Sequence, residues 1–391
     1  MAGVLRKLGT HFAILGILFI PFPFNLFPFQ ANVTKFFLEN LIRWISNNFF
    51  NKQFQICDFS SDSFCLFVLV GVLIGIALLS SILSMALKLI KLPNTELLFN
   101  AIINYYIALM LLKYGFDKVF KAQFYLPEPN ILFTAFGNLS KDILYWSVMG
   151  TSYWYSFFAG ILEIIAAILL LFSRTRILGL LIALAIISNV LAINFGFNIS
   201  VKLFSTFLLF LIVLQTGPHL RSLFQYFLLK RNNQLKPEKS FLVLFPFWRV
   251  FLKSFVIGVF LLEALVPHLR ASNFNDDLAE RPFLHGAYQC LVSDTANHRF
   301  PIFANCKRFF VHRDGYLIFQ YADDKFQDYK MRINPYNNQL TLYDYQRNYL
   351  KLNYSYSIMD SLLTLTFHHR SDSDQLVGKT IPWRKMEALK N

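Results

Sequence analysis

Through most of the first 270 residues, apolar positions follow one another without the polar breaks of a water-facing helix. Crossing a hydrocarbon core of about 30 Å takes roughly 20 helical residues. Seven runs approach that length, near 9–28, 65–87, 97–115, 152–172, 177–195, 199–216 and 248–267. The first carries Pro21, Pro23 and Pro28 in "PFPFNLFPF". Each proline removes a backbone donor, so this helix is expected to kink or end early. Arg6 and Lys7 ahead of it would suit a signal peptide, but no small-residue cleavage site follows, and the segment reads as a retained anchor.

After Pro267 the pattern changes from continuous to alternating. "DGYLIFQY", "YKMRIN", "LTLYDYQ", "LKLNYSYS" and "LLTLTFHH" are short strands separated by turn residues such as "PYNNQ". That spacing predicts an antiparallel meander, sandwich or small barrel. The expected fold is an α-helical integral membrane bundle of about seven spans with a C-terminal antiparallel β domain. Its parts are 1–96 (two spans and a loop), 97–216 (a four-helix core), 217–247 (a basic linker), 248–267 (the last span) and 268–391 (the β domain).

Composition agrees: 55% of residues are hydrophobic and 15% charged. The net charge of +14 needs dividing before it is interpreted. Putting the N-terminus inside gives the cytoplasmic segments thirteen basic residues against Glu96 and Glu238. Loops 30–64 and 116–150 balance six basic with six acidic residues. This is the positive-inside asymmetry, and it argues against nucleic acid as the partner of the basic residues. Membrane lipids are their expected neighbours, above all at "LLKRNNQLKPEKS". Cys57, Cys65, Cys290 and Cys306 then fall on the extracytoplasmic side, where disulfides are allowed. Cys57–Cys65 and Cys290–Cys306 close the shortest loops, and the four are expected as bridges or as buried thiols.

Ionisable residues inside spans are costly and are functional candidates by default. Lys113, Lys202 and Glu263 lie near outer ends and can snorkel. Glu163 lies about 15 Å from either end of its span. Tyr106 and Asn189 are expected at similar depth, with Lys202 about 6 Å further out. The expectation is a polar cluster of Glu163, Asn189, Tyr106 and Lys202, either fixing helix register or handling a proton or ligand. No histidine lies in the interior of a span, since His11, His219 and His268 are all near ends, and no metal motif, P-loop or dinucleotide fingerprint occurs, so no metal site is expected.

Three stretches, "YYIALMLLKYGFDKVFKAQF", "FFAGILEIIAAILLLFSRTRILG" and "NVLAINFGFNISVKL", resemble bacterial DoxX-like membrane proteins. The shared features fall on Tyr114–Gly115 with Lys118, Gly160 with Glu163, Arg174–Thr175, and Asn194–Phe195 with Lys202. Where longer members often carry an acid before the Val-Lys, this chain has Asn198. The resemblance implies a four-helix membrane core in a bacterial inner membrane, with the β domain in the periplasm. It links the family loosely to quinone or thiol redox systems and makes Lys118 and Asn194 secondary candidates. Three functions follow as expectations. The first is an accessory or binding subunit that meets an envelope protein through 268–391. The second is a redox-linked component using a quinone-like or thiol substrate, and the third a proton-coupled transporter.

Overall fold

The computed structural model describes residues 2–26, 28–86, 95–227, 229, 246–291, 300–369 and 372–390. Lys88, Lys91 and the basic stretch from Lys230 to Lys239 lie outside them. The chain divides into two units, Met1–Gln123 with Trp154–Phe274, and Phe124–Tyr153 with Asn275–Asn391.

The helices are α1 (Ala2–Phe19), α2 (Gln30–Phe50), α3 (Phe64–Ala86), α4 (Thr95–Val119), α5 (Pro129–Leu132), α6 (Lys141–Thr151), α7 (Tyr153–Leu171), α8 (Arg176–Gly196), α9 (Lys202–Phe227) and α10 (Pro246–Ala271). Among the described residues, α3, α4, α7, α8, α9 and α10 are long and apolar enough to cross a membrane. The first run, 9–28, is not among these six: α1 ends at Phe19, just before Pro21 and Pro23. Residues 30–64, read from sequence as a loop, contain α2. Its Thr34, Leu38, Ile42 and Ser46 are buried at steps of four. Repetition every four residues keeps one stripe facing inward. α9 continues through Pro218 to Phe227, past the expected start of the linker.

Glycines set the tightest helix contact. A Cβ at Gly115 would lie 2.7 Å from Ile164 Cγ1, and one at Gly160 would lie 2.5 Å from the Gly115 carbonyl oxygen. Only the missing side chains let α4 and α7 approach so closely. Because Gly115 meets Ile164 while Gly160 meets Val119, the two helices run antiparallel. α4 and α10 run parallel, since Lys113 meets Glu263 and Asp117 meets His268. The C-terminal ends of α4 and α10 therefore leave the bundle on one side.

The second unit is a closed eight-stranded antiparallel barrel in which each strand pairs with its chain neighbour. Its strands are β1 (Gly286–Cys290), β2 (Cys306–His312), β3 (Tyr316–Tyr321), β4 (Phe326–Asn334), β5 (Gln339–Tyr343), β6 (Tyr349–Ser357), β7 (Leu362–His369) and β8 (Asp372–Ile381). Of the three expected β forms, the chain adopts the barrel. Alternate residues fill the interior, among them Phe309 and Val311, Leu317 and Phe319, Leu340 and Leu342, Leu363 and Leu365. An eight-stranded barrel is just wide enough to be filled by side chains. Gly378 makes room for the stacked rings of Tyr288 and Phe309, since a Cβ there would lie 2.4 Å from the Phe309 ring. Outside the barrel, Leu132 and Phe133 pack on Phe310 and Ile318, which ties the segment after α4 to β2 and β3.

Candidate functional site

α4 carries four polar residues in six positions, Lys113, Tyr114, Asp117 and Lys118. At about 100° per residue, Lys113 and Asp117 share one face and Lys118 points well away from it. The first face meets α10: Lys113 Nζ donates to Glu263 Oε1 at 3.1 Å, and His268 Nε2 lies 3.1 Å from Asp117 Oδ1. The second meets α7: Lys118 Nζ donates to both Glu163 oxygens, at 3.0 and 2.8 Å. The Gly115–Gly160 crossing lies one turn from this pair and brings the two helices within a lysine's reach. All four ion-pair side chains, of Lys113, Glu263, Lys118 and Glu163, are less than a tenth exposed. In such surroundings an unpaired charge is costly, so each group is held by its partner.

Glu263 does more than neutralise Lys113. Its Oε1 accepts from the Asn25 backbone and side-chain nitrogens, and its Oε2 accepts from the Leu26 amide at 2.7 Å. The proline-rich turn after α1, whose prolines lack donors, is thus anchored by a carboxylate of α10. Phe22 from the same turn sits 5.6 Å from Lys113 Nζ.

The cluster expected around Glu163 is not brought together. Lys202 Nζ bonds Asn198 Oδ1 at 2.9 Å and lies 3.7 Å from Asp62. Asp62 also accepts from the Lys202 and Leu203 amides, both at 2.9 Å, and so caps α9. Asn189 is exposed. Tyr106 is buried, and its hydroxyl has no hydrogen-bond partner among the described residues. Asn194 donates to Ser205 Oγ at 3.0 Å, joining α8 to α9. Two groups escaped sequence reasoning. Asn104 donates to Gln215 Oε1 at 3.3 Å between α4 and α9, and His11 meets Ser80 at 2.8 Å between α1 and α3. Cys57 and Cys65 pair as a disulfide with Cα atoms 5.7 Å apart. Cys290 and Cys306 are instead two buried free thiols with sulfurs 3.1 Å apart. Hydrogen bonding to Cys306 and burial both push the Cys290 thiol up.

The barrel unit holds a second buried charge cluster. Glu128, just before α5, accepts from Arg313 Nε and lies 2.8 Å from His285 Nε2. Arg313 also donates to Asp276 Oδ2 at 2.9 Å, and Arg281 donates to the same oxygen at 2.9 Å. Burial by itself would raise the Glu128 pKa. The His285 hydrogen bond and the Arg313 charge outweigh it and bring it down to about 2. Burial pushes His312, 4.0 Å from Glu128, downward. Among the described residues no three His, Cys, Asp or Glu side chains converge as metal ligands would.

No family model matches the chain, and no solved structure matches it. Over 96 residues it is 40% identical to "Uncharacterized protein YwoB" of Bacillus subtilis (strain 168). The similar region is 25% of this chain and covers 60% of that relative's length. The chain is therefore a membrane helix bundle joined to an eight-stranded barrel, similar over one region to a bacillar protein.

Proposed function

We propose that this is a DoxX-like protein of a bacterial inner membrane, serving as an accessory or binding subunit of an envelope complex. In this reading the N-terminus is cytoplasmic, and the barrel meets an envelope protein in the periplasm. One observation carries it: both oxygens of Glu163 are taken by Lys118 beside a glycine crossing. A carboxylate so engaged supports the fixing of helix register over the handling of a proton or ligand. The bundle then acts as scaffold, and recognition falls to the barrel unit. The basic loops support the orientation.

Extraction in mild detergent, followed by native mass spectrometry, tests the assignment. A stoichiometric protein partner, lost when residues 275–390 are removed, is the expected result. A lone monomer in every detergent would overturn it. One observation favours the redox-linked alternative: the buried Tyr106 hydroxyl lacks a partner among the described residues and would donate to a quinone-like carbonyl. Quinone in the lipid extract, reduced by Tyr106→Phe, would promote that reading above the first.

A further inference from the structure

Beside His285 the barrel unit opens a pocket of about 340 Å³, lined by Ala279, Glu280, Arg281, His285, Trp383 and Arg384. It lies at the low end of the usual range for small-molecule sites. Its wall holds two guanidinium groups and an imidazole around a buried indole, and Arg384 sits 5.3 Å from the Trp383 ring. Trp383 is itself held by packing with Ala287, Phe310 and Ile318. The pocket therefore has a fixed apolar floor and cationic sides.

We propose that this pocket binds a small phosphate ester, with Arg281, Arg384 and His285 around the phosphoryl oxygens and Glu280 accepting from a neighbouring hydroxyl. Three features favour this ligand. Arg281 places only Nη2 on Asp276, on its carbonyl and carboxylate oxygens. Its other terminal nitrogen makes no hydrogen bond among the described residues and can donate to an incoming oxyanion. Arg384 is exposed and makes no ion pair among the described residues, so its charge is free to meet an anion. His285 lines the same wall, its ring held in place by Glu128 at 2.8 Å from Nε2. Two guanidinium groups from separate points can together engage the three oxygens of a tetrahedral phosphoryl group, where one is enough for a planar carboxylate. The lone acid, Glu280, sets a polarity across the pocket that glycerol phosphate would match. The same chemistry is offered by a free phosphate ester or by the headgroup of an anionic phospholipid. The inference does not rest on the accessory role: both fall on the barrel unit, but the pocket is tested by binding of a small ligand to the chain alone, with no protein partner present.

The test uses the full chain in phosphatidylcholine nanodiscs, titrated with glycerol phosphate by isothermal calorimetry. Wild type should bind one equivalent. R384Q should weaken binding about tenfold, as the loss of one charge-assisted contact does. R281Q should weaken it more. Because Arg281 also braces Asp276, the exposed Arg384 supplies the variant that cannot fail by misfolding. Adding phosphatidylglycerol to the nanodiscs separates the sources. Weaker apparent binding of the soluble probe in wild type, but not in R384Q, assigns the site to the lipid headgroup. Unchanged binding assigns it to a free ester. No saturable binding by wild type, or equal binding by wild type and both variants, overturns the proposal.

Discussion

Glu163 of the bundle and Glu128 of the barrel unit are equally buried, each with a side chain 4% exposed, yet they keep different company. Glu163 has one cation, delivered by a neighbouring helix at a glycine crossing. Glu128 has an arginine and a histidine at bonding distance and a second histidine at 4.0 Å. Equal burial with unequal partners separates the two roles. A buried ion pair between transmembrane helices specifies which faces meet. A carboxylate with several donors orders side chains drawn from different segments, here those just before α5, just before β1 and just after β2. One of them, His285, opens on the pocket.

The largest expected effect breaks the simpler pair. Lys118→Met leaves Glu163 buried without its cation, and removing one member of a buried pair costs about 3–5 kcal/mol. Thermal unfolding in detergent should fall sharply. Adding Glu163→Leu should recover most of the loss, because apolar replacement of a whole pair is often neutral. A single variant as stable as wild type would mean that Glu163 takes a proton readily, which would revive a proton-handling role.

The barrel carboxylate makes the next largest prediction, with pH as the lever. Its folded pKa, about 2, lies below the ordinary value of 4.5. A depressed acid contributes stability that is fully present above the unfolded value and is lost as pH falls through the folded one. That contribution is on the order of 3 kcal/mol. It should disappear between pH 4.5 and 2, and Glu128→Gln should flatten the profile of near-ultraviolet dichroism across that window. An unaltered acid profile would show that the Arg313 and His285 contacts add no stability.

The two regions were not equally legible in the chain. Continuous apolar runs located all six long apolar helices because a membrane span needs length and little else. Alternation located five strands from Tyr316 onward, but missed β1, β2 and β8, where "GAYQC" is short and "DSDQLVGKTI" is polar along much of its length. α2 was hidden because Phe36, Phe37 and Trp44 surround its buried stripe with exposed apolar residues and blur the period. At the site, depth correctly marked Glu163 as unable to reach water, yet chose the wrong lysine. Depth measures position along a helix and carries no information about facing. Lys118 and Lys202 were separated by which helix the Gly115–Gly160 crossing brings close, a fact of packing that spacing alone does not contain.

A smaller effect is expected at the disulfide. Cys57→Ser opens a loop with a sequence separation of eight, and bridges over short loops contribute about 2–3 kcal/mol. Reduction of wild type should lower the unfolding temperature as the substitution does, and should not lower that of the variant further.

The smallest effects bear most directly on which lysine serves the buried acid. Lys202 is 23% exposed at the side chain, 3.7 Å from Asp62, in the first turn of α9. At 3.7 Å the ion pair is long and Lys202 Nζ bonds the neutral Asn198 instead, so Lys202→Met should cost less than about 1 kcal/mol and change the unfolding temperature little. Asp62→Ala should cost more, about 1 kcal/mol, because it removes the acceptor for two helix-start amides as well as the charge. The order Lys118→Met, then Asp62→Ala, then Lys202→Met follows from burial and bonding alone. A loss at Lys202→Met as large as that at Lys118→Met would place Lys202 at Glu163 and dissolve the contrast between a closed intramembrane pair and a helix cap.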